Sequence, residues 1–293
     1  MSRLPASKTG LYMAAFRAIE NIKPEKDRLI NDPFAAGFLS KAQQVILACC
    51  SIKLIRNFVT GCIQLRWPGT FTAAIARTRL IDDMIVEAVR TQGINQVIIV
   101  NATFDTRPHR LNVGLPLHYV EVDHPEIQMK KRKLLTPLLN IPAVPVDYVQ
   151  LDMSTQQMSD VIPQLLFRKH YKTLFLWEKL TTSQDAEKAD IIFQYLKSFP
   201  SGTQVIFTYV NKVVLENPDA FYGFKRIKKL LRRDGEHWDF GLHPSALHQF
   251  MEARNMQVCY DGGAADYRSQ YFGAKSNRMK GYEYFRVVRA EVK

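Results

Sequence analysis

Between Gly93 and Gly114 the sequence contains no glycine. The gap falls on "VIIVNATFDTRPHRL", residues 97–111, where a branched apolar run ends in a polar turn. A nucleotide-binding α/β fold usually places glycines at such a turn, because glycine permits positive φ and lets the backbone approach a ligand. Their absence leaves open whether this turn is a cofactor loop or the remains of one. Cysteine is also scarce. Cys49, Cys50, Cys62 and Cys259 form no C-x-x-C pair and have no histidine at zinc spacing, which excludes a zinc knuckle and a disulfide framework and leaves no metal site expected. Long apolar runs are missing too: the longest, Val45–Ile52, stops at Lys53 and Arg56, well short of the ~20 residues that cross a bilayer. Arg3 and Lys8 are not followed by the apolar core of a secretion signal. A cytoplasmic protein without a membrane span is therefore expected.

Positive charge is plentiful. The formal net charge is +12, and part of it lies in "KRIKKLLRRD", Lys225–Asp234. A cluster of this kind, Lys225–Arg233, attracts acidic partners such as nucleic acid, anionic lipid or an acidic carrier protein, or else is a solvated helix face. No basic motif interleaved with aromatic residues and no RNA module accompanies it, so nucleic acid is not expected.

From residue 96 onward strand-like and helix-like segments alternate. Strands are predicted at Gln96–Ala102, Leu117–Asp123, Val144–Leu151, Thr173–Glu178 and Thr203–Tyr209, all short and rich in branched or aromatic residues. Helices are predicted at Pro125–Leu139, Thr155–Lys169 and Gln184–Ser198, then at Pro218–Arg233 and Pro244–Asn255. Gln257–Tyr260 and "GYEYFRVVRAEV" read as a closing antiparallel pair. Such alternation implies an α/β fold, with a mostly parallel sheet and helices on both faces. The first ninety residues are mostly helical, roughly Gly10–Glu20, Pro33–Phe58 and Phe71–Arg90, with "WPGT" as punctuation. They suggest an N-terminal helical cap over residues 1–92 and an α/β domain over 93–293, together one compact unit.

In an open α/β sheet the ligand lies beyond the carboxyl ends of the strands. The loops there carry Asn101 through Arg107, then Asp123, Asp152 and Glu178. Asp123 stands 123 − 105 = 18 residues after Asp105, close to the spacing at which a carboxylate holds a ribose diol. Arg107 follows the first strand, and Arg77 and Arg79 sit on the helix entering the sheet. A guanidinium fork suits the carboxylate of an amino-acid ligand. Taken singly, each acid could be a helix cap and each arginine a surface ion pair.

Seven stretches together resemble the leucine carboxyl methyltransferase-like proteins: "SKTGLYMAAFRA" (7–18), "LINDPFAAGF" (29–38), "RTRLIDD" (77–83), "DTRPHRL" (105–111), "YVEVDHPEIQMKKRKLL" (119–135), "VQLDMS" (149–154) and "FGLHPSALHQFMEARNMQV" (240–258). The resemblance implies a seven-stranded Rossmann-like class I methyltransferase sheet and S-adenosylmethionine as cofactor. It implies that Arg77 pairs with the cofactor carboxylate, that Asp123 holds the ribose and that Asp152 lies beside the adenine amino group. Glu178 would face the methionine moiety, while Asp105 and Arg107 belong to the D-T-R turn that shapes the pocket. The family usually carries G-x-G-x-D-T-R, and this chain places Asn101 and Thr103 at the two glycine positions. Asn tolerates left-handed backbone, whereas Thr is β-branched and stiff. The family's E-G-V-x-x-Y-L is replaced by Glu178 to Gln184, with Lys179 for Gly and Ser183 for Tyr. The expected function is thus O-methyl transfer to a carboxylate or hydroxyl of a metabolite, free or bound to a carrier protein. The alternative is a relative with altered or lost cofactor use, acting as a non-methylating enzyme or a binding protein. A carboxylate acceptor needs no base, and a hydroxyl acceptor would turn to His124, His237 or His243.

Overall fold

The computed structural model describes residues 8–139, 145–152, 155–156, 171–180, 183–233 and 235–293, with 179–180 and 183–189 described in their backbone only. The most continuous apolar runs make the centre of the sheet. β1 (Gln96–Val100) and β5 (Gln204–Val210) are buried along their whole length, as parallel strands covered on both faces must be. β2 (His118–Asp123), β3 (Val146–Gln150), β4 (Thr173–Leu180), β6 (Met256–Gly263) and β7 (Phe285–Val292) complete a seven-stranded sheet of order β3-β2-β1-β4-β5-β7-β6. The first five strands pair in parallel, and β7 runs antiparallel to both β5 and β6. The closing antiparallel pair is as the sequence indicates.

Chain direction reverses around β1, where β2 and β3 lie on one side and β4 and β5 on the other. Val100 at the end of β1 is level with Val122 and Trp177, so the loops after β1, β2 and β4 emerge side by side. Ligands of doubly wound sheets bind at such a switch point.

Helices fill both faces. α1 (Lys8–Asn21), α2 (Lys41–Cys49) and α3 (Lys53–Arg66) precede α4 (Thr70–Gln92). Leu80, Ile81, Ile85 and Ala88 of α4 share one apolar cluster with Val97, Ile99 and Leu174 of the sheet. Ile98, Val120, Phe175 and Phe207 point to the other face and meet Phe193 and Leu196. Each fully buried Ile or Phe of this kind stabilises by about 1.5–3 kcal/mol. Gly69 caps the start of α4 at φ 75°, and a Cβ there would collide with the Gly281 carbonyl, which explains the "WPGT" break.

Several boundaries differ from the sequence expectation. Pro33–Phe58 is not one helix: Ala35–Phe38 forms a 3-10 turn, and Ser40 then caps α2 through a reciprocal capping box with Gln43. A four-residue helix, α5 (Arg107–Arg110), follows the first loop, and α6 (Pro125–Leu135) follows β2. The helix expected from Pro218 starts at Phe224, and Pro244–Asn255 resolves into a 3-10 turn and Leu247–Glu252. A helix over Ala264–Phe272 was not anticipated. The helix expected over Thr155–Lys169 lies, apart from its first two residues, outside the described residues.

Candidate functional site

The loop leaving β1 is pinned by alternate side chains. Ala102 and Phe104 are buried, the latter against Phe38 with ring centroids 4.8 Å apart. Arg17 of α1 donates from Nη2 to the Phe104 carbonyl at 2.6 Å. To hold both anchors inward the chain turns left-handed at the residues between them: Asn101 has φ 54° and Thr103 has φ 44°. These are the two positions where glycine was expected. The backbone is therefore of the glycine kind, built without glycine. It leaves the Thr103 N–H 2.6 Å from Asp123 Oδ2, while the His124 N–H reaches Oδ1 at 2.7 Å. Burial pushes the Asp123 carboxyl above its usual range, and these two N–H donors oppose that shift.

Behind the loop sits a charge lattice. Arg107 is 2% exposed and donates from Nε to Asp82 at 2.7 Å and from Nη1 to Asp105 and, at 3.1 Å, to Glu178. Burial alone would lower the pKa of its guanidinium, but Asp105, Asp82 and Glu178 outweigh it and hold the group charged. Asp105 is pushed up by burial and pulled down further by Arg107, Lys131 and Arg110, ending at about 2. Arg110 forks onto Asp82 at 2.6 and 3.0 Å. Asp32 accepts from Arg17 Nε and from Thr106 Oγ1, each at 2.7 Å, and its other oxygen accepts from the Phe34 and Ala35 N–H groups.

These elements surround a cavity of about 310 Å³ whose walls include Met13, Arg17, Arg77, Asn101, Thr103, Asp105, Arg107, Asp123 and Glu178. Seven of the eight residues singled out in the sequence are thus brought to one space. The eighth, Asp152, is not among the cavity walls; it follows β3, and its Oδ2 is 3.9 Å from His124 Nε2. Arg77 and Glu178 face each other at 3.2 Å, and the buried Arg77 Nε has no hydrogen bond of good geometry. A cation and an anion side by side suit the two ends of an amino acid. A carboxylate at the end of β2 suits a diol, and the cavity volume is at the lower end of the usual range for ligand pockets, about 300–1,000 Å³. These residues fit a cofactor made of an amino acid joined to a nucleoside. Lys179 and Ser183 belong to the residues whose side chains are not described.

Met13 also lines a second, smaller cavity of about 40 Å³, with Tyr12, Trp67, Ile227, Leu231, Trp238 and Tyr282 among its walls. Burial, opposed by the neighbouring Arg77, pushes the Tyr282 phenol up to about 12. A further cavity, about 690 Å³, is walled by residues of the stretch 108–117 with Tyr119 and Pro145 and contains none of the eight predicted residues. Of the three candidate histidines, His124 caps α6 by accepting from the Glu126 N–H, His243 lies 3.3 Å from Glu216, and His237 is exposed; none of the three is among the walls of these cavities. Among the described residues no group of three or more His, Cys, Asp or Glu is arranged to hold a metal, and no helix is long and apolar enough to cross a membrane.

Sequence reasoning assigned no role to Arg17, Asp32, Asp82 or Met13. Their positions lay in the quoted segments, yet their roles depend on contacts across 87 residues for Arg17 and Phe104 and 74 for Asp32 and Thr106.

Comparison with known proteins points to one family. Residues 10–196 match the family model described as leucine carboxyl methyltransferase. A Parafrankia protein provisionally named an S-adenosyl-L-methionine-dependent methyltransferase is 28% identical over 62% of this chain and 56% of its own length. A Streptomyces coelicolor protein with the same provisional name is 33% identical over 44% of this chain and 41% of its own. The chain thus spans about half the length of these relatives. Among solved structures, a DUF574-family protein of Streptomyces avermitilis superposes with a TM-score of 0.57 at 13% identity, covering 95% of this chain and 97% of that one. A provisionally named methyltransferase of Thermobifida fusca gives 0.56 at 12% identity, covering 96% and 94%. At these identities the two structures speak to the fold alone.

Proposed function

The chain belongs to the leucine carboxyl methyltransferase family, and from that premise we propose that it is an S-adenosylmethionine-dependent methyltransferase acting on a carboxylate or hydroxyl oxygen of a small acceptor with an apolar body. The observation that carries this reading is the facing of the Arg77–Glu178 pair and Asp123 across one cavity. Arg77 would hold the carboxylate of the methionine moiety and Glu178 its ammonium, while Asp123 would accept from the ribose diol with the lone pairs that Thr103 and His124 leave free. Asp152, beyond His124, stands on the side where the adenine would lie.

The bound cofactor supplies an electrophilic methyl group on a sulfonium. The chain's own contribution is alignment and exclusion of water, since an in-line displacement gains most from holding the reacting atoms close and collinear. Met13 belongs to the walls of both cavities and would line the passage between cofactor and acceptor. The second cavity, at about 40 Å³, is too small to enclose an acceptor as it stands; Trp67, Trp238, Ile227 and Leu231 would have to part to admit its apolar body, and the Tyr282 phenol beside Arg77 would offer the polar contact near the oxygen. A carboxylate acceptor reacts as the anion and passes on no proton.

The left-handed backbone at Asn101 and Thr103 favours retained cofactor use over its loss, because it preserves the path that glycines would give the loop. Methyl transfer from radiolabelled S-adenosylmethionine to a panel of aromatic and long-chain carboxylic acids and alcohols tests the reading. Incorporation that falls at least about tenfold in Trp67→Ala, with cofactor affinity unchanged, is the expected result. Incorporation into none of the panel, or equal incorporation by Trp67→Ala, would remove the acceptor assignment.

A further inference from the structure

α2 and α3 have no fully buried residue. Leu47 of α2 and Val59 and Ile63 of α3 pack partly against Phe16, Phe71 and Ile75. A second apolar stripe on the same hairpin is largely exposed. Val45, Ile46, Ile52, Leu54, Phe58 and Leu65 are all exposed, Leu54 to 80% and Phe58 and Leu65 to 72% each. Leu54, Phe58 and Leu65 are spaced by four and seven residues, one face of a helix. Seven of the twelve exposed large hydrophobic side chains among the described residues fall between Val45 and Leu65, and such concentration marks a contact surface.

Charge on this hairpin has one sign. No Asp or Glu occurs between Asp32 and Asp82, so every ionic group of α2 and α3 is a cation: Lys41, Lys53, Arg56 and Arg66. The surface continues into the basic helix Phe224–Arg233. Arg226 Nη1 donates to the Leu65 carbonyl at 2.6 Å, which fastens that helix to the end of α3. It buries Phe224, Ile227 and Leu230 and exposes Lys225, Arg226, Lys229, Arg232 and Arg233. Among the described residues, Asp219 pairs with Lys225 at 2.7 Å and Glu236 accepts from Thr9.

We infer that the α2–α3 hairpin and the helix Phe224–Arg233 together form a peripheral docking surface for an anionic lipid membrane. Exposed Leu and Phe side chains enter the boundary between headgroups and acyl chains, and the flanking Lys and Arg side chains meet the negative headgroups. Like charge opposes a second copy at the same face. The surface borders the apolar cavity, whose walls include Trp67 just after α3 and Ile227 and Leu231 of the basic helix. The docking itself does not depend on the reaction assigned above.

Co-sedimentation with vesicles of phosphatidylcholine alone and of phosphatidylcholine with about one third phosphatidylglycerol, at about 0.15 M salt, tests it. Two variants accompany the wild type: Leu54→Ser with Phe58→Ser, and Lys229→Glu with Arg232→Glu and Arg233→Glu. All these side chains are exposed, so the thermal midpoint serves as a folding control. The wild type is expected to pellet with the anionic vesicles and not the neutral ones, and each variant to lose roughly tenfold or more of that partition. The inference is overturned if the wild type stays in the supernatant or if the serine variant pellets unchanged, which would mean attraction by charge alone. A wild-type dimer in sedimentation velocity that the serine variant dissociates would assign the face to a second copy instead.

Discussion

Thr103 occupies left-handed backbone with a β-branched side chain, and replacing it with glycine should make the protein more stable. A non-glycine residue in that region costs about 1–2 kcal/mol, and a β-branched one is a genuine outlier there. Glycine removes this cost and adds about 0.5–1 kcal/mol of unfolded-state entropy. The Thr103 Oγ1 contact to the Asn101 carbonyl, 3.2 Å and solvent-facing, is a minor loss. The net expectation for Thr103→Gly is a gain of about 0.5–1 kcal/mol. For a chain of this size that is a rise of roughly 1–3 °C in the midpoint of a calorimetric melt. Thr103→Val keeps the branch and the strain, so it should not share the gain. The same glycine variant removes a Cβ from the cavity wall and should bind S-adenosylhomocysteine at least as tightly as the wild type. A melt lowered by 2 °C or more in Thr103→Gly would refute the argument that this loop keeps a glycine-type path against side-chain strain.

Three further outcomes follow from the charge lattice and its surroundings. Arg107→Ala leaves Asp105 without its closest buried cation and Asp82 with Arg110 alone, and should cost about 3–5 kcal/mol in urea unfolding; a loss under about 1 kcal/mol would show that the lattice contributes little. His109 is held down to about 4 by burial and by the charge of Lys131, and both its ring nitrogens are buried without a partner. A folded pKa below the unfolded value of 6.5 means that the unfolded state binds more protons between those values, so this group's contribution is complete above pH 6.5 and is lost as pH falls towards 4. His109→Phe should therefore flatten that part of the stability profile and stabilise more at pH 5 than at pH 8, and parallel profiles for the two proteins would contradict it. Asp105, held at about 2, should add a separate loss of stability that sets in as pH falls through the ordinary aspartate value of 3.8 and that Asp105→Asn abolishes in acid titration of the melt.

The sheet was legible because its strands are short, branched and apolar and alternate with helices, a pattern that few other folds produce. Gln96–Val100 and His118–Asp123 differ from the sequence reading by one or two residues at an end. The N-terminal region was less so. Apolar residues recur through Pro33–Phe58 at helical spacing, and only the Ser40–Gln43 capping box, an S-x-x-Q signal, shows that a new helix begins there. Ala264–Phe272 was missed because its apolar residues favour no single face and Gly262-Gly263 reads as a turn. For the site, residue types at strand ends foretold which side chains converge. They could not tell that Asn101 and Thr103 adopt positive φ, because that choice is made by Phe104 packing on Phe38 and by Arg17 reaching back from α1. These are tertiary contacts that local sequence does not encode.

The central claim is that the glycine-free loop still forms one wall of a working cofactor site. Calorimetric titration of the wild type and of Asp123→Ala with S-adenosylhomocysteine tests it most directly. Micromolar binding by the wild type that the substitution abolishes is the expected result; no binding by the wild type at millimolar ligand would mean that Thr103 and its N–H contact to Asp123 have closed the site.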